Sequence, residues 1–288
     1  MTVRDLFYTA GGTLRAPWRL AGFVLVAVAV MALAMMMLGA FRIRSLEMLM
    51  LWQAVAALIA LTVAHFFMVR VVDDLPWRAV WMDGRALEPR TLGWAVVVGG
   101  AAVAIPALAL LGAGWLDAMD APGTAGDAVR YAFLMLVVLL PAAAYEELLF
   151  RGYPMRVLQD ALGAWPAVLI TAVLFGVAHA ANLGTVDPLA LAVVTLAGAF
   201  LGWIVLVTGS LYAGIAAHLA WNAVLVVGLH TEVSGAQLGA APVYRVVDSG
   251  PDWATGGPWG PEGGLAAAVG LGAALMLTLA RRGSREER

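Results

Sequence analysis

The sequence predicts an all-α, multi-pass membrane protein of about eight transmembrane helices, and three observations carry that prediction. Of its 288 residues 62% are apolar and only 12% charged, whereas a soluble domain is roughly half apolar and a quarter charged. The apolar residues fall in long uncharged runs, among them Leu20–Phe41 and Met48–Val69, and about 20 apolar residues span the hydrocarbon core. The short alternating strands of a membrane barrel are missing from the pattern, which leaves helices as the spanning element.

Taken in order, residues 1–19 carry Arg4, Arg15 and Arg19 and read as a short interfacial segment. Leu20–Phe41 is the first span; at 22 residues without a charge it is too long for the apolar region of a cleavable signal peptide. Arg42, Arg44 and Glu47 mark a loop before the second span, Met48–Val69, in which His65 reads as a hydrogen-bonded interior histidine. Residues 70–90 are a polar break whose Pro-Trp-Arg-Ala-Val-Trp stretch suits the membrane interface, where tryptophan is enriched. Thr91–Leu116 is the third span, and residues 117–127 form a loop rich in acids and small residues. The fourth span starts near Asp127 and runs into Tyr145–Arg151, continuing to a turn at Gly163. Ala161–Val186 gives the fifth span, and Thr208-Gly209-Ser210 divides the uncharged stretch Pro188–Thr231 into the sixth and seventh. Residues 232–262 are a loop too irregular to cross lipid, Gly263–Ala280 is the last span, and an arginine-rich tail ends the chain. The domain reading is residues 1–125 for three helices with interfacial segments, 126–231 for a core of helices four to seven, 232–262 for an extracytoplasmic loop, and 263–288 for the last helix and basic tail.

Composition also excludes functions. A net charge of −2 gives no footprint for nucleic acid, and the absence of cysteine removes disulfides, thiolate ligands and a cysteine nucleophile. Every basic residue is arginine. With the N-terminus inside, the inner segments hold arginines 4, 15, 19, 70, 78, 85, 90, 151, 156, 281, 282, 285 and 288, against 42, 44, 130 and 245 outside. That asymmetry puts both termini in the cytoplasm. Composition and architecture suggest a bacterial cell membrane.

Three polar clusters interrupt the apolar runs: Glu146, Glu147 and Arg151; Phe175 and His179; His218 and Asn222. Ionisable groups at membrane depth are functional candidates. Glu147 and Arg151 share a helix face and can pair, while Glu146 points about 100° away. Glu146 lies 17 residues before Gly163 and His179 lies 16 after it, so a hairpin turning there puts them at similar height. The helical rise places His218 about 13 Å in from the Thr208–Ser210 break, a compatible level. A carboxylate beside a histidine can activate water, and histidine and asparagine can donate to an oxyanion. The same Glu146, His179 and His218 could hold zinc, with an open position for water, although no His-Glu-x-x-His motif is present.

In order and spacing these clusters resemble the EExxxR, FxxxH and HxxxN motifs of the CPBP family, the CAAX prenyl endopeptidases and bacteriocin-processing (Abi) proteins also called type II CAAX proteases. The resemblance covers roughly residues 130–230 and implies an intramembrane endopeptidase with its catalytic core on helices four, five and seven. It implies that Glu146 activates water, that Glu147 and Arg151 support it, and that His179 helps hold base and water, with His218 and Asn222 as oxyanion donors. Phe175 completes its motif. The expected substrate is a membrane-associated peptide or protein, cut near the cytoplasmic face. No cofactor is assigned, and zinc is possible. The alternatives from other classes are a non-proteolytic membrane immunity or scaffold protein and a proton-coupled transporter using Glu146.

Overall fold

A computed structural model describes residues 3–38, 45–180 and 187–286. The predicted ends of the first and fifth spans, Arg42, Arg44 and the last two residues of the tail lie outside the described residues. Helix α1 (Val3–Phe7) and a bridge from Tyr8 to Leu14 lead into α2 (Ala16–Leu38). The spanning helix thus begins ahead of the uncharged run and takes Trp18 and Arg19 with it. Ser45 caps α3 (Leu46–Phe66) by accepting from the Met48 amide, and a wider π-helical turn, Phe67–Val72, extends it. Short 3-10 turns at Trp77–Val80 and Gly84–Leu87 fill the polar break. Helix α4 (Pro89–Gly112) opens on the Glu88 carboxylate, which accepts from the amides of Arg90 and Thr91.

The predicted third span ran to Leu116. The helix instead stops at Gly112, and Leu116 opens a strand, β1 (Leu116–Asp120). Thr124 and Asp127 form a reciprocal capping box for α5 (Ala125–Arg151). Then come α6 (Tyr153–Leu162), α7 (Ala164–His179), α8 (Pro188–Thr208) and α9 (Leu211–Ala223), the last extended by a π turn over Val224–Leu229. The turns at Gly163 and Gly209 fall where predicted; both glycines have positive φ, +88° and +67°. The segment predicted as an irregular loop contains β2 (Tyr244–Asp248) and α10 (Asp252–Thr255) before α11 (Leu265–Glu286). β2 pairs antiparallel with β1, Leu116 opposite Asp248 and Asp120 opposite Tyr244. Two five-residue strands this far apart in sequence leave too short a pattern to be read from either one.

Among the described residues six helices are long and apolar enough to cross a membrane, and α7 and Leu265–Arg281 are apolar but shorter. The chain is an all-α, multi-pass integral membrane protein, as predicted. Leu25, Ile105, Phe133 and Val269 stand exposed on its outside, where lipid is the solvent. One apolar core joins α4, α8, α9 and α11; another joins α2, α3, α6, α7 and α8. Small residues bring the helices together. A β-carbon on Gly99 of α4 would run into the backbone of Ala217, the neighbour of His218 on α9.

The fourth span does not continue straight past Arg151. Gly152 takes ψ −128° and separates α5 from α6. A β-carbon at Gly152 would meet His65 Nε2 and sit 2.7 Å from the Leu148 carbonyl oxygen. His65 is fully buried, accepts the Tyr153 amide at Nε2 (2.9 Å) and contacts the Leu61 carbonyl through Nδ1 (2.7 Å). These bonds make it the interior histidine the sequence suggested. Arg151, counted among the arginines of the inner segments, is fully buried. Tyr153 OH and Arg19 converge instead on Asp73, and Arg156 pairs with Asp160, tying α2 and α6 to the turn after α3.

Candidate active site

The two adjacent glutamates of α5 face different partners, as a 100° step requires. Glu147 is wholly buried; its Oε1 accepts from Arg151 Nη1 and from His218 Nδ1, each at 3.0 Å. Arg151 donates its other arm to the Gly198 carbonyl on α8 (2.9 Å), and its guanidinium lies 4.3 Å from the centre of the Phe175 ring. A buried charge needs this pairing and hydrogen bonding to be tolerated. The core of the site is therefore a bolt joining α5, α7, α8 and α9.

Glu146 turns toward an open space. Its Oε2 lies 3.8 Å from His179 Nε2 and 3.9 Å from His218 Nε2, and it has no hydrogen-bond partner. The other ring nitrogens are occupied: His179 Nδ1 is 2.7 Å from the Phe175 carbonyl and His218 Nδ1 is on Glu147. A carbonyl and a carboxylate only accept, so both Nδ1 atoms carry protons. In neutral rings the two Nε2 atoms are then lone-pair acceptors. Three acceptors thus converge at distances too long for direct hydrogen bonds. A water molecule, with two protons to give, satisfies such a set.

The same three side chains are the groups that could share a metal ion. Zinc with bonds of about 2.1 Å holds tetrahedral ligands about 3.4 Å apart. Glu146 would have to close on the two histidines from 3.8 and 3.9 Å. Among the described residues no three such side chains are already set as a metal site.

Asn222 follows His218 by one helical turn and lines the same space. A cavity of about 450 Å³ is walled by Met50, Gln53, Tyr145, Glu146, His179, His218, Asn222 and the segment Val233–Leu238. A smaller chamber of about 30 Å³ adjoins it, bounded by Phe175, His179, His218, Trp221, Asn222, Ser234 and Glu262. Even the chamber has room for a water, which needs about 10–15 Å³. Five of the seven residues singled out from the three motifs line the cavity or the chamber, and Glu147 and Arg151 lie buried behind them, bonded to His218 and stacked on Phe175. The sequence reading missed Tyr145, Gln53, Ser234 and Glu262. Only Glu262 left a signal, a lone acid among prolines and glycines just before an apolar run.

The cavity wall draws on one end of several helices. Met50 and Gln53 begin α3, His179 ends α7, and Val233–Leu238 follows α9. All belong to the face that carries the β1–β2 pair, opposite the face where Arg19 meets Asp73 and Arg281 covers Trp94. The hairpin count matched the heights of Glu146 and His179, but His179 is the last residue of α7. The two side chains nonetheless meet at the cavity.

Residues 128–224 match the family described as type II CAAX prenyl endopeptidase, Rce1-like. The match spans most of α5 through α9, including all three motifs, and stops before Ser234 and Glu262. It agrees with the resemblance carried by the motifs. No curated protein and no solved structure matches the chain.

Proposed function

We propose that this chain is an intramembrane endopeptidase in which Glu146 activates water against a peptide bond of a membrane-associated substrate. The observation that carries the proposal is the convergence of Glu146 Oε2 with two imidazole Nε2 atoms and no donor among them. Water held by Glu146 and His179 gives one proton to the carboxylate as its oxygen attacks the scissile carbonyl carbon. The carbonyl oxygen takes up the electron pair and is met by the Asn222 amide; His218, held by its Nδ1–H on Glu147, adds a second donor at Nε2 only once that nitrogen has itself taken up a proton. Collapse of the tetrahedral species breaks the C–N bond, and the proton on Glu146 leaves with the amine. The family match supports a protease acting on peptides at the membrane; the assignment of steps to residues rests on the geometry.

If a metal is held, Glu146, His179 and His218 hold it, and it would supply Lewis acidity to the same water. With the arginine-rich face cytoplasmic, the cavity admits substrate from the extracytoplasmic half of the bilayer.

The test compares the membrane proteomes of cells producing the protein and its Glu146→Gln variant, followed by cleavage of the identified substrate in liposomes. New termini that need Glu146 are expected. Identical proteomes and no cleavage by either form would sink the protease reading in favour of a scaffold or immunity protein. Proton flux lost in Glu146→Gln would instead favour a transporter. Activity that survives exhaustive chelation in protein free of bound metal would dispose of zinc.

A further inference from the structure

Glu262 lies outside the stretch matched to the family, in a single 3-10 turn, Pro261–Gly263, just before α11. Its side chain is nevertheless buried. One oxygen accepts from the Trp221 indole Nε1 at 2.7 Å; the other accepts from the Ser234 amide at 2.5 Å and the Ser234 hydroxyl at 2.9 Å. Among the described residues no arginine pairs with it, and the chain has no lysine. A buried carboxylate without a cation is tolerated only where hydrogen bonds replace its hydration. Here three donors converge on it from two elements that wall the site.

Each donor has its own significance. Trp221 precedes Asn222 on α9, so anchoring the indole fixes the rotation of the turn that presents His218 and Asn222. Ser234 has φ +49°, a left-handed conformation unusual for a residue with a side chain. Such strain persists where the surroundings over-determine it, and it concentrates at functional sites. Ser234 also lines both the substrate cavity and the chamber. The turn itself is held down: the Gly235 amide donates to the Trp259 carbonyl, and Trp259 is buried against Phe150 and Phe175.

We infer that Glu262 is a positioning residue of the active site. It clasps the segment Val233–Leu238, the outer wall of the cavity, to α9 and thereby sets the alignment of Asn222 and His218 toward Glu146. This rests on the site proposed above and extends it to a residue beyond the matched family stretch.

The chain has four histidines, His65, His179, His218 and His230, which makes ¹⁵N-histidine NMR of the full-length protein in lipid nanodiscs a direct readout. Glu262→Gln, which keeps the shape but cannot accept from three donors equally, should shift the His179, His218 and His230 resonances. His65, in the other core, should stay in place. Ser234→Ala removes one donor and should produce the same pattern more weakly, which keeps the test intact if Glu262→Gln folds poorly. A second measurement uses the absence of cysteine: Ala236→Cys on the cavity wall should react with a maleimide faster in either variant than in the Glu262 parent, while Ala167→Cys, buried between helices, should not. Unmoved His179 and His218 signals would overturn the inference. So would a shift of all four histidines together with faster labelling at both cysteines, since Glu262 would then support the fold at large. No readout requires a substrate, so a chain that cleaves nothing would still reveal the clasp, and failure of the protease reading stays distinguishable from failure of this one.

Discussion

At the scale of single residues, Glu146 and Glu147 are neighbours with opposite tasks. Glu147 shares Oε1 between Arg151 and His218 in a fully buried setting, whereas Glu146 Oε2 is left to the cavity. Glu146→Gln keeps shape and removes the base, so cleavage should fall by about 10²–10⁴-fold, the usual worth of general-base catalysis. Its thermal midpoint should stay close to the parent's. Glu147→Gln leaves Arg151 buried without its counter-charge, an arrangement that costs about 3–5 kcal/mol, so its midpoint should fall markedly and activity with it. Equal activity loss with equal, unchanged stability would refute this division. The i,i+4 spacing was enough to read the Glu147–Arg151 pair. The burial of Arg151 was not readable, because it depends on Gly198 and Phe175, which reach it from α8 and α7.

At the scale of elements, the break at Gly152 decides how α5 hands over to α6. The absent β-carbon lets His65 approach closely enough to take the Tyr153 amide, which a continuous helix would have used internally. Gly152→Ala should destabilise the protein by about 1–3 kcal/mol, the range for overpacked interiors. Differential scanning fluorimetry in detergent would register it, and His65→Ala added to Gly152→Ala should recover part of the loss by making room. An unchanged midpoint in the single variant would mean that the break is set elsewhere. Helices were readable here from run length and caps, and the turns from Gly163 and Gly209. The Gly152 break was hidden because a glycine in a helical run is common, and only His65, far away in sequence, gives this one its purpose.

At the scale of the whole molecule, the helices sort their ends onto two faces. One carries Arg19, Arg156 and Arg281; the other carries the β1–β2 pair and the segment Val233–Leu238 that walls the cavity. If the arginine-rich face is cytoplasmic, Ala118→Cys in β1 should be labelled by an impermeant maleimide on intact cells. Ala79→Cys, in the turn near Arg156, should react only after permeabilisation. The reverse pattern would turn the molecule over and return the site to cytoplasmic access. Sequence gave the class of fold and the convergence of three motifs. It did not give the part that the segment Val233–Leu238 plays in the cavity wall, since that contact joins residues far apart in the chain.

One helix brings the bilayer itself into the account. α7 has 16 residues, Ala164–His179, so it is about 24 Å long against a hydrocarbon thickness of about 30 Å. Leu169, Val173, Leu174 and Val177 are exposed along it, so lipid tails and not protein meet this short wall. If α7 crosses the bilayer at this length, hydrophobic mismatch would thin the leaflet beside His179, at a cost of fractions of a kcal/mol per ångström. On the proposed mechanism, a peptide bond that would otherwise lie in hydrocarbon would then meet headgroups and water within reach of Glu146. Turnover should accordingly decline as the protein is moved from liposomes of short-chain lipids to those of long-chain lipids, and a rate indifferent to acyl length would show that the membrane takes no part in delivering substrate.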